Sequence, residues 1–394
     1  MSERIGENID WVGVLDWNIR DFHEFSTPRG VTYNAYLIRD TKTALIDTVK
    51  EAFLKELLFK ISSLIAIEKL DYVVVNHAEP DHSSALPELM KIAKNAEVVC
   101  TKKCQEILSA YYDTSQWKFF IVKGKDQLSL GKKTLCFIET PMVHWPESMF
   151  TYLLEDKILF SMDAFGQHLV TSQRFDDQVD TCELMEEAKK YYANIIMPYG
   201  KQVEKVLEMV KDLEIKMIAP SHGVIWRKHL SIILTFYKNW ASFRSKPKIL
   251  VIYDSMWGST AKMAEEIVRG ASILGVEVQS IFIRTSDLTK IVSEVLDAST
   301  LVFGCSTLNM NVLPKMGELL IYLKGLKPRN KVAASFGSYG WGKGAPEALD
   351  EFIHSMGFEV VAPPIRAQWK PTVTVLQECF DLGKILSKKT MELE

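Results

Sequence analysis

A chain of 394 residues with 47% hydrophobic and 25% charged side chains is long enough for two or three cores and too apolar to be disordered or fibrous. A formal charge of −3 supplies no net positive field for a phosphate backbone, which argues against nucleic acid as a partner. MSERIGENIDW holds no basic segment ahead of an apolar leader, and no apolar run reaches the length of a bilayer, so a cytoplasmic protein with no membrane contact is expected. The six cysteines, at 100, 104, 136, 182, 305 and 379, form no C-x-x-C pair and are expected as reduced, mostly buried thiols.

The predicted elements change character along the chain. The first half reads as short apolar strands joined by turns: TYNAYLIRD, KTALIDT, FFIV, LSLGKKTLCFIET and FTYLLEDKILFSMD, the last with Glu155 and Asp156 at a hairpin turn. Helical periodicity intervenes at about 51 to 68, 83 to 94 and 183 to 193, which predicts sheets with helices packed outside them. A further helical pattern from about 227 to 240 runs into ASFRSKPK, where Pro247 and its charged neighbours read as a linker. The boundary is placed there, giving domains 1–245 and 246–394. In the second domain strands and helices alternate: KILVIYD, TAKMAEEIVRGASILG, VEVQSIFIR, LTKIVSEVLDA, TLVFGCS, KVAASFGSYG and FEVVAPP. That alternation implies right-handed βαβ crossovers and a doubly wound parallel sheet.

In the first domain the strand DYVVV runs directly into Asn76-His77-Ala78-Glu79-Pro80-Asp81-His82. Asp81 or Ser83 suits the cap of a helix starting near Ser84, but capping needs only one side chain and leaves both histidines and Glu79 unexplained. On an irregular loop, residues i, i+2, i+4 and i+5 can surround two adjacent cations, whereas a helix would send them to different faces. Two ions need further ligands from other segments, and His144 after CFIET, Asp163 after ILFSM and His222 after MIAP stand at strand ends. Glu79, Asp81 and Asp163 bring three negative charges beside four neutral imidazoles. This thiolate-free donor set suits iron, and by ligand type alone it also admits zinc.

The order of these ligands resembles the metallo-β-lactamase superfamily, which implies an αββα sandwich with the metals at the sheet edges. Hydrolases of that superfamily have histidine where this chain has Glu79. Glutamate there, together with the runs HWPESMF and SMDAFGQH, resembles the flavodiiron (A-type flavoprotein) family. The resemblance implies that His77, Glu79 and His144 bind one iron and Asp81, His82 and His222 the other, with Asp163 bridging. It also implies that His168 in AFGQH and Tyr192 in KYYANI lie just beyond the irons and donate hydrogen bonds to bound gas. Both residues equally suit core positions where they only satisfy buried carbonyls.

In the second domain KILVIYD leads into Ser255-Met256-Trp257-Gly258-Ser259-Thr260 and then a helix, a junction that offers amides and a favourable dipole to a phosphate. Neither G-x-x-x-x-G-K-[ST] nor G-x-G-x-x-G occurs at this turn, which disfavours ATP, GTP and dinucleotides. Two later loops follow apolar strands: Ser306-Thr307-Leu308-Asn309 after TLVFGC, and Ser335-Phe336-Gly337-Ser338-Tyr339-Gly340-Trp341 after KVAA. Their glycines allow a flat ring to approach the backbone, and Trp257, Tyr339 and Trp341 can stack on it, although ordinary packing accounts for each aromatic singly. Together the loops resemble the phosphate loop and the two isoalloxazine loops of flavodoxins. That resemblance implies FMN, with Ser255, Trp257, Gly258, Ser259 and Thr260 at its phosphate.

With both domains in this order, the resemblance to flavodiiron proteins covers essentially the whole chain. It implies an oxidoreductase that reduces O2 to water, NO to N2O, or both, at a non-haem diiron centre, with electrons relayed through FMN. The two cysteine pairs of a rubredoxin-like module are missing, so an external donor is expected, rubredoxin or a similar small carrier. A head-to-tail homodimer or a dimer of dimers is the expected assembly. A dizinc hydrolase with an appended flavodoxin-like domain is the second reading, and Glu79 and the flavin half argue against it.

Overall fold

The computed structural model describes residues 2–342 and 344–393. The chain divides into two units, Met1–Lys238 and Asn239–Glu394. In the first, one sheet runs in the order Glu3–Gly6, Ile9–Trp11, Tyr36–Arg39, Thr43–Ile46, Tyr72–Val74, Glu97–Thr101 and Lys118–Val122. A second runs Gln127–Ser129, Thr134–Glu139, Met149–Leu153, Ile158–Met162 and Met217–Pro220. The two sheets face each other across one core, in which Tyr72, Val74 and Val99 meet Leu135, Phe137, Leu153 and Phe160. Val73 and Val98 point the other way, against Leu57, Ile61, Leu86 and Leu108 of the covering helices. This alternation within DYVVV marks a strand buried on both faces and gives the αββα layering expected.

In the second unit all strands are parallel, in the order Glu277–Phe282, Lys246–Asp254, Ala298–Ser306, Val332–Tyr339, Glu359–Val360, with Ile365–Gln368 also pairing with Val332–Tyr339. Numbered within the unit this is 2-1-3-4-5, the flavodoxin-like doubly wound order. Helices Ser259–Ala271 and Val373–Met391 cover one face through Met263, Ile267, Leu382 and Leu386. Phe303 meets Phe352 of helix Ala345–Ser355, ring centroids 5.8 Å apart.

Several elements differ from the sequence expectation. The helix predicted over 83 to 94 is two pieces, Pro80–Ser83 and Leu86–Ile92. Helices Lys102–Tyr111 and Gly200–Val210 are not among the elements the sequence predicts. Lys246 and Pro247, read as linker, open a strand, and the division between the units falls earlier, inside helix Leu230–Ala241. Phe243 and Ser245 are bound instead into the second unit, under Arg329 and beside Lys331 respectively. Among the described residues no helix is long and apolar enough to cross a membrane.

Candidate metal centre and flavin pocket

Four strand ends of the first unit converge. Asn76 pins the first: its backbone N–H and side-chain Nδ2 donate to the two oxygens of Asp47 (2.8 and 2.9 Å), and its side-chain Oδ1 accepts from Thr151 Oγ1 (2.6 Å). His77 and Glu79 follow the strand, and Pro80 at the first helical position opens a single turn, Pro80–Ser83. Asp81 and His82 therefore sit on a helical turn, where the sequence had suggested an irregular loop. On this single turn Asp81 and His82 stand close enough to share one ligand group, Asp81 Oδ2 lying 3.2 Å from His82 Nε2.

The seven side chains form two groups, His77, Glu79, His144 and Asp163, and Asp81, His82 and His222, with the ligand atoms of each group all within 4.8 Å of one another. Asp163 faces both. Its Oδ2 lies 3.0 Å from His144 Nε2 and 3.4 Å from His77 Nε2, while Oδ1 lies 3.1 Å from His82 Nε2 and 3.3 Å from His222 Nε2. Glu79 Oε2 stands 3.1 and 3.3 Å from His77 and His144, and Asp81 Oδ2 stands 3.2 Å from both His82 and His222. Ligands about 2.1 Å from a shared ion stand about 3.0 Å apart at right angles and about 3.4 Å apart in a tetrahedron, so these separations suit two coordination polyhedra sharing Asp163. Five of the seven are closed to solvent; the Glu79 and His144 side chains keep about 15% and 14% exposure and mark the open side.

The cluster calls for cations. Burial alone would push its histidines down, but Asp81 and Asp163 hold His82 up at about 9, and hydrogen bonds to Glu147 and Glu79 hold His77 well above its usual value. Burial would likewise raise Asp163, and the histidines, His82 foremost, hold it well below the carboxylate range. A bound metal replaces those protons. Tautomers are set from outside: His77 Nδ1 donates to Glu147 Oε1 (2.7 Å) and His222 Nδ1 to the Thr32 carbonyl (2.6 Å), leaving each Nε2 for an ion.

His168 lies beside His222, ring centroids 5.6 Å apart, and burial and the neighbouring His222 keep it well below its usual pKa, hence neutral. Tyr192 does not join it. Its ring packs on Tyr237 at 5.0 Å, whereas Tyr191 stands 4.8 Å from His168 and 5.9 Å from His222. Adjacent helical residues point about 100° apart, so only one of the pair KYY can face the centre, and the choice is not local. Sequence reasoning also missed Glu147, although HWPESMF carried it, and His23, whose Nε2 lies 3.3 Å from Glu79 Oε1 at the open side. Nothing in DFHEF distinguishes His23 from an exposed turn residue.

In the second unit a cavity of about 350 Å³ opens at the carboxyl ends of the strands. Met256, Trp257, Ser259, Ser306, Thr307, Leu308, Asn309, Ser338, Tyr339, Gly340 and Trp341 all line it, as do three residues not anticipated, Met310, Gly342 and Trp369. Ser255, Gly258 and Thr260 do not line it; Gly258 takes a left-handed φ of 84° that turns the chain into the helix, and Thr260 Oγ1 lies beneath, 3.0 Å from Ser306 Oγ and 2.9 Å from Ser338 Oγ. Ser335, Phe336 and Gly337, expected at the flavin, do not line the cavity: they lie in the part of strand Val332–Tyr339 buried between the two helical layers, and Phe336 is core. At Gly340 a Cβ would come within 2.7 Å of the Trp369 ring, so only glycine allows this approach. Trp257, Trp341 and Trp369 are 93%, 89% and 61% exposed around the opening, flat apolar faces suited to sandwiching a planar ring.

The family described as ODP family beta lactamase matches residues 31–223, and the flavodoxin family matches residues 251–383. A nitric oxide reductase of Moorella thermoacetica is 47% identical over 98% of both chains. The chain belongs to the flavodiiron family. Among solved flavodiiron-type structures, rubredoxin oxygen:oxidoreductase from Desulfovibrio gigas superposes with a TM-score of 0.97 at 35% identity, covering 100% of this chain and 99% of its own. The flavodiiron protein of Giardia intestinalis superposes equally well, TM-score 0.97 at 37% identity, covering 100% and 97%.

Proposed function

We propose that this chain reduces O2 to water, NO to N2O, or both, at two irons held by His77, Glu79, His144, Asp81, His82 and His222 with Asp163 between them, and that FMN in the second unit relays the electrons. The observation that carries this reading is the division of Asp163 between two ligand groups in a thiolate-free cluster with three carboxylates. Bound iron supplies two adjacent reducing centres for a diatomic gas, and bound FMN supplies one-electron relay. The protein's own residues do the rest. Glu147 and Thr32 hold His77 and His222 in the ligating tautomer. Partly open Glu79 and His144 leave one side for gas entry, while buried His168, Phe22 and Tyr191 pack around His222. Solvent-exposed His23, whose Nε2 lies 3.3 Å from Glu79 Oε1, stands at the open side.

FMN belongs against Trp257, Tyr339, Trp341 and Trp369, with its phosphate toward Ser259 and the start of helix Ser259–Ala271. A small carrier such as rubredoxin is the donor in this reading, and a head-to-tail homodimer, alone or paired, is the assembly; the exposed tryptophan rim supports a protein contact there. A cytoplasmic setting, supported by six free cysteines, belongs to the same reading. A dizinc hydrolase is not favoured, because it leaves the flavodoxin unit without a task.

The test is anaerobic quantitation of iron and FMN, followed by O2 and NO consumption with a photoreduced donor. Iron, FMN and gas consumption are expected together, and Asp163→Asn should abolish turnover with FMN retained. Zinc with rapid ester or amide hydrolysis, and no gas consumption after iron loading, would overturn the reading.

A further inference from the structure

The flavodoxin-like unit has a second cavity at the opposite ends of its strands. It encloses about 390 Å³ and is lined by Arg244, Ser245, Lys246, Pro247, Ser299 and Asn330, which stand at or before the starts of strands Lys246–Asp254, Ala298–Ser306 and Val332–Tyr339. Ser299 and Ser306 lie near opposite ends of one strand, so at about 3.3 Å per residue the cavity is some 20 Å or more from the flavin pocket.

Three observations point to a ligand. First, the ladder slips here: Lys246 pairs with Ala298 and Ile249 with Thr300, so Pro247 and Lys248 stand opposite Ser299 alone. Such a bulge redirects side chains, and Pro247 has no N–H to give the ladder. Second, the Ser299 hydroxyl is buried with no hydrogen-bond partner, in a residue only 4% exposed. Third, Lys331 is buried at 3% exposure beside this edge. Its Nζ donates to Ser245 Oγ (2.7 Å), Ala298 O (2.6 Å) and Leu296 O (3.0 Å), which uses all three protons on neutral acceptors. The acid that acts on it, Asp297, is already paired with Lys246 at 3.1 Å. Buried ammonium groups ordinarily meet a counter-charge. Ser245, having accepted from Lys331, retains its own O–H to donate into the cavity it lines. Arg244 is exposed and forms no ion pair among the described residues.

We propose that this cavity binds a phosphate group, free or carried by a small phosphate ester, with Arg244 as counter-ion and Ser245, Ser299 and Asn330 as hydrogen-bond partners. A dianion held by Ser245 stands one hydroxyl away from the Lys331 ammonium, and the volume lies within the range of about 300–1,000 Å³ typical of small-molecule pockets. The full chain should be titrated with FMN bound, so that the flavin's own phosphate site is filled. Calorimetry with inorganic phosphate and with glycerol 3-phosphate, at ionic strength fixed by chloride, is expected to give saturable binding of at least one. Binding of phosphate identifies the free ion as sufficient, and binding of the ester alone identifies an ester site. Arg244→Gln and Ser299→Ala should each weaken binding about tenfold. Ser299→Ala deletes an unpartnered hydroxyl, so its melting temperature without ligand should be at or above that of the parent, separating lost binding from lost folding. No saturable binding of either compound, or affinities untouched by both substitutions, would overturn the proposal.

Discussion

Glu147→Gln isolates a buried charge that never enters either ligand group. Glu147 is 2% exposed, and its Oε1 accepts both His77 Nδ1–H (2.7 Å) and the Ala78 N–H (2.9 Å), while Oε2 is buried without a partner. Glutamine preserves the shape and keeps one oxygen for these two donors, but removes the charge. A hydrogen bond to a charged group contributes about 1.5–3 kcal/mol against about 0.5–1.5 for a neutral one, a difference of roughly 1–1.5 kcal/mol. Since 1.4 kcal/mol is a factor of ten, iron should bind about tenfold more weakly, within the ~10–100-fold range for outer partners of metal ligands. The new amide N–H groups take the place of an Oε2 that is already partnerless, so fold stability should change by less than the ~1–3 kcal/mol cost of a newly orphaned polar group. Competition between protein and a chelator for ferrous iron and urea unfolding measure the two effects separately, with FMN content as the control. Unchanged iron affinity in Glu147→Gln would refute the claim that this carboxylate orients His77.

Tyr191→Phe should change gas turnover several-fold at constant iron content, and Tyr192→Phe should leave the rate per bound iron alone; steady-state rates normalised to iron decide, and the reverse pattern would restore Tyr192 to the site. Phe336→Ala, at a fully buried position, should cost about 3–5 kcal/mol in urea unfolding while the folded fraction keeps its FMN; flavin loss without destabilisation would contradict a core role. Burial brings Lys331 down from the ordinary 10.5 to about 7, so between these values the unfolded chain binds more protons and stability rises with pH, by at most about 1.4 kcal/mol per unit. The full penalty stands below about pH 7, and Lys331→Met should remove the slope; parallel stability-versus-pH curves for the two proteins would refute it.

Much of the site could be read directly. Ligand types followed strand ends in a chain whose apolar strands were plain, and a doubly wound sheet places its ligand loops where such strands stop. The errors cluster where a choice depends on distant packing. Ser335, Phe336 and Gly337 look like a glycine-containing loop, but helices on both faces bury them as strand. Trp369 follows a short strand from a remote part of the chain and reaches the flavin pocket only because that strand pairs beside Val332–Tyr339.

The sequence by itself determined the two units, their order, the seven side chains that gather as candidate ligands and most of the residues that line the second unit's cavity, because hydrophobic period, turn chemistry and donor type are local properties. Tertiary structure alone decided that Asp163 turns one oxygen to each ligand group, that Tyr191 rather than Tyr192 faces His168, and that Glu147 sits behind His77. The same holds for the slipped register that sets Pro247 and Lys248 opposite Ser299. Each depends on side chains far apart in the sequence meeting across packed layers, and such distances are fixed by how strands pair and which faces are covered.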